Sequence, residues 1–285
     1  MLHLLFSATI LLASEVTGAD ATLVGRYTLP AEGKTYGGLS AIHIGDDGRS
    51  LITISDRGTI SRGEVVRDPE GQIVDILIDA PTPIDTFTFE SGRKPRDSEG
   101  IAVDEDGSIY ISFEGMARVG KFADIDAPEQ IIPMDLAFPE FEGNAGLEAL
   151  AIDAEGTIYT IPERTGRYDK PFPIFRLDDN RWTQPYAVPR TGSFLVVGAD
   201  FGPDGKLYLL ERDFSGIGFL TRVRRVDFET LQAETILQTG LGTHGNMEGI
   251  SLWQNEAGET MMTLIADDNF RSFLNNEIAE YRIDG

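Results

Sequence analysis

SEGIAVDEDGSIYISFEG, residues 98–115, decides the fold because its pattern returns along the chain. Similar phrases begin at Leu39, Leu147, Phe194 and Met247. Each phrase has an apolar run, a short turn that contains glycine, and a second apolar run. Two β-rich runs joined in this way are typical of a tight β-hairpin, since glycine accepts the positive φ that such turns require. The sequence therefore predicts one hairpin repeated five times.

The period of the repeat predicts a β-propeller. The turn glycines are Gly48, Gly107, Gly156, Gly205 and Gly258, with separations of 59, 49, 49 and 53 residues. This spacing is that of propeller blades, and further strand-like runs after each hairpin bring a blade to four strands. A six-bladed ring is the alternative, because the longer first interval could hide an extra element near residues 71–85. That region has no hairpin phrase, so the sequence favours five blades and an all-β fold.

The last blade lacks one strand in the C-terminal part of the chain. After the fifth hairpin only one strand-like run remains, NEIAEYRID at residues 276–284. TLVGRYTLP, residues 22–30, is a spare strand ahead of the first repeat. If this N-terminal strand completes the last sheet, the ring closes and no blade is left incomplete.

Charge and composition restrict the partners. The 285 residues include 47 acidic and 24 basic residues, a formal net charge of -23, and no cysteine. A chain this acidic repels nucleic acid and anionic membrane surfaces and concentrates cations. Without cysteine, neither disulfides nor thiolate chemistry are available. We expect a small-molecule substrate, no nucleic acid, and a monomer.

The N-terminus has the pattern of a secretory signal peptide. An apolar run from Leu2 to Ala13 leads to the small residues Thr17, Gly18 and Ala19, although no Lys or Arg precedes the run. We predict residues 1–19 to be the signal peptide and residues 20–285 to be a single propeller domain. The mature chain would be periplasmic or secreted and would not contact the membrane.

Acidic residues recur at the same place in each repeat. In a propeller blade the start of the first strand and the end of the second strand lie on the same face of the disc. Glu99, Glu148 and Glu248 start first strands, and Asp56, Glu114, Glu163, Glu211 and Asp267 or Asp268 end second strands. Carboxylates that converge on a narrow channel raise one another's pKa or require a cation.

Glu99, Glu148 and Glu248 are therefore the candidate metal ligands. Oxygen ligands and the near absence of histidine favour Ca²⁺, or Mg²⁺, over zinc. The alternative is that acids at strand ends are held individually by backbone N–H groups.

Arginines and one histidine complete the candidate site. Arg57, Arg164 and Arg212 each follow an acid directly, and could either brace the next blade or bind a substrate carboxylate or phosphate. His244 lies in the glycine-rich segment before Glu248 and could be a general base, a metal ligand or a loop residue without a catalytic role. Arg271 follows Asp268 closely and belongs with these arginines. His43 is predicted to pack within a strand.

The phrases GLSAI, SEGIAVDEDGSIYIS, LEALAIDAEGTIYTIPER and NMEGISLW resemble the phytase-like family, described as having esterase-like activity of phytase. The resemblance covers the chain after residue 19 and implies a β-propeller and a hydrolase. Lactonases and organophosphate hydrolases of propeller fold are similar in layout, with acids around an axial Ca²⁺. The first and fourth repeats depart from the pattern, with Ser40 and Val197 at the glutamate position.

Two functions are compatible with these residues. The leading hypothesis is an exported hydrolase in which a divalent cation activates water against a phosphoester, ester or lactone. Glu163 or His244 would accept the proton, and Arg57, Arg164 or Arg212 would bind the substrate. The alternative is a non-catalytic binding module whose cation only stabilises the ring.

Overall fold

The computed structural model describes residues 20–30, 37–87, 97–114, 116–135, 138, 146–164, 170–230, 232–269 and 275–284. The predicted signal peptide, residues 1–19, and Arg271 lie outside these ranges.

The strands form five antiparallel sheets arranged as blades. Blade 1 contains β2 (Leu39–Ile44), β3 (Ser50–Ser55), β4 (Thr59–Arg67), β5 (Ile73–Ile78) and β6 (Thr82–Pro83). Blade 2 contains β7 (Ser98–Val103), β8 (Ile109–Phe113), β9 (Arg118–Phe122) and β10 (Gln130–Ile131). Blade 3 contains β11 (Leu147–Ile152), β12 (Ile158–Pro162), β13 (Phe172–Asp178) and β14 (Arg181–Val188). Blade 4 contains β15 (Leu195–Phe201), β16 (Leu207–Phe214), β17 (Phe219–Asp227) and β18 (Gln232–Gln238). Blade 5 contains β19 (Asn246–Gln254), β20 (Thr260–Asp267), β21 (Glu277–Ile283) and the N-terminal β1 (Ala21–Thr28).

The five-bladed ring and its closure are confirmed. Strand β1 pairs antiparallel with β21, so the N-terminal strand completes the last blade. The inner strands contact one another in the cyclic order β2, β7, β11, β15, β19 and back to β2. The extra length of the first repeat goes into β5 and β6, which both pair with β4 of blade 1. The region that could have formed a sixth blade therefore belongs to the first.

The repeated hairpin turns have the predicted backbone conformation. All five turn glycines have a positive φ, between 64° and 85°. In blade 2, for example, Gly107 N–H donates to the Asp104 carbonyl at 2.9 Å. Residues with a Cβ atom are strained in this conformation, which explains why glycine returns in every repeat.

Hydrophobic packing holds neighbouring blades together. Each of the five blade-to-blade interfaces contains its own cluster of buried apolar residues. Between blades 1 and 5, Ile42 of the first inner strand packs with Trp253 and Ile265 of the last blade. Because every sheet is covered on both faces, the inner strands read as almost continuous apolar runs. Among the described residues, the structure contains no helix that is long and apolar enough to span a membrane.

Asp200 joins two inner strands with a carboxylate. On β15 of blade 4, its Oδ2 accepts the Leu252 N–H of β19 at 2.7 Å, and its Oδ1 accepts the Phe201 N–H at 2.9 Å. Burial raises the pKa of Asp200 to about 7, although these two donors oppose the shift. The folded protein therefore keeps this proton at a pH at which the unfolded chain has released it.

We expect this carboxyl group to make the protein less stable as pH rises from 5 to 7. The folded pKa lies above the unfolded value, so ionisation in this window favours the unfolded state, by up to about 2 kcal/mol. Asp200→Asn cannot ionise and should lose this pH dependence, although its amide can accept only one of the two N–H groups. Denaturant unfolding of both proteins at several pH values measures it, and parallel pH profiles would contradict the assignment.

Candidate metal centre

A polar cavity of about 270 Å³ opens at the axis of the ring, on the face predicted from the strand ends. Among the described residues, eight carboxylates and two guanidinium groups line it. The lining residues are Asp56, Asp97, Glu99, Glu114, Glu148, Glu163, Arg164, Arg212, Glu248, Asp267 and Asn269. Every blade contributes at least one of them. The predicted convergence of Glu99, Glu148 and Glu248 on one cavity is therefore present in the structure.

A β-bulge positions the three glutamates that start inner strands. The pairing of the first two strands shifts at this position in all five blades, and in blade 3 the shift falls between Leu147 and Ala149. Glu148 is the extra residue there, and Glu99 and Glu248 occupy the same place in blades 2 and 5. Bulges bend a strand and redirect its side chains, and they are common beside functional sites.

The small residue after the bulge glutamate is explained by the packing of inner strands. A Cβ atom on Gly100 would lie 2.8 Å from the Glu148 carbonyl oxygen of the next blade. A Cβ atom on Gly249 would lie 2.8 Å from the Cα atom of Ala41. The repeated Glu-Gly or Glu-Ala pair thus combines a carboxylate at the axis with close contact between blades.

The tightest group of carboxylates belongs to blade 2. Asp97 precedes β7, Glu99 lies within it, and Glu114 follows β8. One oxygen from each of these residues lies within 4.8 Å of the other two. The sequence predicted that Glu99 acts together with Glu148 and Glu248; the structure adds Asp97 and Glu114, which lie close enough to Glu99 to share one cation with it.

This donor set fits a hard divalent cation. Oxygens bound to one Ca²⁺ at about 2.3–2.6 Å can lie as much as about 5 Å apart. The oxygens of Asp97, Glu99 and Glu114 meet this limit as they stand. Carboxylate oxygens are also the ligands that Ca²⁺ and Mg²⁺ prefer. Glu148, on the neighbouring inner strand, lines the same cavity and is available to a cation held by blade 2.

Arg212 neutralises a different part of the cavity. Its Nη1 contacts Glu248 Oε1 at 2.5 Å and also donates to the Asn246 side chain, while its Nη2 lies 3.6 Å from Glu163 Oε1. Glu163 is bound from its other side by Arg164, with 2.5 Å between Nη2 and Oε2. Glu163 and Glu248 are therefore paired with arginine. The neighbours that act most strongly on Glu99 are instead other carboxylates.

Among the described residues, the charges that act most strongly on Glu99 are negative. Burial raises the pKa of Glu99 well above its usual range. The negative charges of neighbouring carboxylates raise it further, in the order Glu148, Glu248, Asp97 and Glu114. Burial and then Glu163 raise the pKa of Glu148 in the same direction, although Arg212 opposes the shift. A divalent cation would relieve this repulsion by stabilising the ionised carboxylates.

Two predicted residues, Arg57 and His244, are not among those that line this cavity. Arg57 is exposed in the turn after β3 and is not among the lining residues. His244 is buried against the last blade, where Nδ1 lies 3.1 Å from Glu277 Oε1 and Nε2 lies 2.6 Å from the Tyr281 hydroxyl. Both ring nitrogens thus have partners on β21, and the structure does not bring His244 to the carboxylates. Its role as a general base or metal ligand stays a prediction.

The remaining acids at strand ends have structural partners. Glu211 is fully buried and binds Arg222 and Arg224, with contacts of 2.6 and 2.5 Å. Asp268 accepts the Gly38 N–H at 3.1 Å, while Asp267 lines the cavity. The alternative that strand-end acids are held by backbone N–H groups is therefore correct for Asp268, whereas Glu211 is held by two arginine side chains.

Sequence reasoning missed Asp97, although a signal was present. Asp97 has a φ of 85°, where blade 1 has Gly38 with a φ of 64°. In both blades the carbonyl of this residue accepts an N–H from the end of the second strand, Glu114 or Asp56. An aspartate at a position that suits glycine is a departure from the repeat, and strained backbone of this kind is often found at functional sites. Asn269 of the cavity lining was also missed.

We expect Asp97→Gly to be more stable than Asp97→Ala by about 1 kcal/mol, because only glycine adopts this positive φ without strain. Both variants lack the carboxylate, so their difference isolates the backbone. At an ordinary strand position alanine is expected to be more stable than glycine. Ala187→Gly in β14 is the control for this order. Urea unfolding measures all three, and an alanine variant as stable as the glycine variant would exclude strain at residue 97.

The fold and the site define an all-β propeller with an acidic axial cavity that fits a divalent cation. The chain belongs to the phytase-like family, described by esterase-like activity of phytase, whose family model matches residues 34–270. A search of curated protein sequences gave no match.

Solved propeller structures are similar at low identity. The gluconolactonase of Xanthomonas campestris shares 14% identity over 82% of this chain and 68% of its own, with a TM-score of 0.46. The calcium-binding protein regucalcin of Agrobacterium tumefaciens shares 13% identity over 87% of this chain and 78% of its own, with a TM-score of 0.47. A luciferin-regenerating enzyme shares 11% identity over 91% of this chain and 95% of its own, also with a TM-score of 0.47. Likeness at this level assigns no substrate to this chain.

Proposed function

We propose that this protein is an exported hydrolase that uses a divalent cation, Ca²⁺ in the first instance, against a small ester, phosphoester or lactone. The observation that carries the proposal is the group of three carboxylates in blade 2, whose oxygens lie within 4.8 Å of one another in a cavity rich in acids. Membership of the phytase-like family supports a hydrolase.

Each cavity residue has a distinct role in this proposal. Asp97, Glu99 and Glu114 hold the cation, which when bound polarises the ester oxygen and lowers the pKa of a coordinated water. Glu148 accepts a proton from water, because the other candidate carboxylate, Glu163, is occupied by arginine. Arg164 has 43% of its side chain exposed and donates N–H groups to an anionic oxygen of the substrate.

The position of the carboxylates argues against a cation that only closes the ring. Such an ion would be expected to take ligands from several blades, whereas Asp97, Glu99 and Glu114 all belong to blade 2 and its entry. Within the described residues, the ring is instead joined by five apolar clusters and by inter-blade hydrogen bonds such as that from Leu252 to Asp200.

The test combines metal analysis with turnover. Purified protein should bind about one Ca²⁺ in this group and hydrolyse p-nitrophenyl acetate, p-nitrophenyl phosphate or a simple lactone. Chelator should remove the activity, and added Ca²⁺ should restore it. Bound Ca²⁺ without turnover of any ester would favour the binding module, and failure to bind any divalent cation would overturn the proposal.

A further inference from the structure

The β16–β17 pairing of blade 4 continues past the acid of its repeat on the cavity side of the ring. In blades 2 and 3 the second strand ends at Phe113 and Pro162, just before the acid of each repeat. In blade 4 the corresponding acid is Glu211, and β16 continues through Phe214. The pairing with β17 continues to the end, with Phe214 opposite Phe219. This hairpin therefore rises above the mouth of the cavity.

The tip of this hairpin exposes apolar side chains. Ile217 is 87% exposed, Phe214 60% and Leu241 48%. We call these three residues, together with Phe219, the apolar shelf. Ring centroids of the two phenylalanines lie 4.9 Å apart. Exposed apolar groups gathered in one place, unlike single ones, mark binding surfaces.

The apolar shelf is held in a defined shape. The Gly242 N–H donates to the Phe219 carbonyl at 2.9 Å, which ties the loop that carries Leu241 to the hairpin. A Cβ atom on Gly218 would lie 3.2 Å from Leu241 Cδ1, so glycine allows this close contact. The Ser215 N–H closes the tip by donating to the Gly218 carbonyl at 3.0 Å.

The shelf borders the axial cavity on its blade 4 and blade 5 side. Phe214 and Arg212 lie two residues apart on β16, so their side chains leave the same face of the strand, about 7 Å apart along it. Arg212 lines the cavity and binds Glu248. The loop that carries Leu241 continues into Asn246, which donates to the same Glu248 carboxylate at 2.6 Å.

The size and charge of the cavity determine what can lie on the shelf. A volume of 270 Å³ corresponds to about nine water molecules, which leaves room for a cation, its waters and one ester group. A longer substituent must extend outside the cavity. The cavity wall is charged, and among the described residues the shelf is an exposed apolar surface next to Arg212 on this side.

We infer that the apolar shelf binds an apolar acyl chain of the substrate, so that esters of medium-chain acids are favoured over acetate esters. This inference rests on the proposed function and specifies its substrate class. The net charge of -23 disfavours an anionic membrane as the occupant. Apolar contact on the shelf raises kcat/KM because it adds binding energy that an acetyl group cannot supply.

The experiment compares p-nitrophenyl octanoate with p-nitrophenyl acetate in wild type, Ile217→Ser and Ile131→Ser. Ile131 is 77% exposed on β10, in the outer part of blade 2, and is the matched control. We expect wild type and Ile131→Ser to prefer octanoate, and Ile217→Ser to lose roughly fivefold to tenfold of that preference with acetate turnover unchanged. Equal preference in all three proteins would overturn the inference.

A binding measurement separates failure of the shelf from failure of the hydrolase. Saturation-transfer NMR with N-octylacetamide, on chelator-treated protein, should detect binding by wild type and Ile131→Ser and weaker binding by Ile217→Ser. If no ester is hydrolysed but this difference appears, the proposed hydrolase fails and the apolar site stands. No binding, or equal binding by both variants, would overturn the shelf. Association with phosphatidylcholine vesicles that Ile217→Ser abolishes, without a chain-length effect, would assign it to a lipid surface and also overturn the inference.

Discussion

Glu99→Gln is expected to abolish Ca²⁺-dependent hydrolysis, with a loss of roughly 1,000-fold in kcat/KM, because it removes the central ligand of the blade 2 group and with it the activated water. The same change should stabilise the metal-free protein by about 1 kcal/mol, since Glu99 is surrounded by the charges of other carboxylates. Calcium should then stabilise the wild type but not the variant. At 100 times its dissociation constant, Ca²⁺ would add about 2.7 kcal/mol.

Thermal unfolding with chelator measures the stabilisation of the metal-free variant, and thermal unfolding with Ca²⁺ measures the loss of stabilisation by the cation. The control is Glu105→Gln, the same chemical change at an exposed position in the hairpin turn of the same blade. It should leave both melting temperatures and the activity unchanged. If Glu99→Gln kept the Ca²⁺-dependent rise in melting temperature, the cation would lie elsewhere.

Arg212→Met is expected to cost about 3 kcal/mol or more of unfolding free energy. Arg212 has only 21% of its side chain exposed and contacts both Glu248 and Glu163. Removing one partner of such a pair leaves a carboxylate without its compensating charge. The double variant Arg212→Met, Glu248→Gln should recover part of the loss, because the remaining amide keeps a hydrogen bond to Asn246 without the charge.

Urea unfolding in the presence of chelator measures this effect apart from any bound cation. Arg282→Met is the control, since Arg282 has 40% of its side chain exposed and pairs with Asp284 and Glu259 at the surface. Exposed pairs of this kind contribute at most about 1 kcal/mol. Equal losses for Arg212→Met and Arg282→Met would show that Arg212 does not neutralise the cavity carboxylates.

The architecture could be predicted because it depends on local signals that repeat. The turn at Gly107 requires a positive φ, and its recurrence at intervals of 49 to 59 residues determines the number of blades. The spare strand at residues 22–30 had one place to pair, and it forms β1 beside β21. Because Glu99, Glu148 and Glu248 each start a first strand, the sequence placed them at the same face of the ring, where the structure has them.

The partners of those carboxylates were decided only by the tertiary structure. Arg212 and Arg164 both follow an acid in sequence, but Arg212 crosses to Glu248 in blade 5, whereas Arg164 binds its own neighbour, Glu163. Asp97 reaches Glu99 because its backbone takes a positive φ ahead of β7. A repeat determines where backbone and strand ends lie, since these depend on neighbours in sequence. Charge pairing depends on side-chain direction across blades, and that is determined only when the ring has closed.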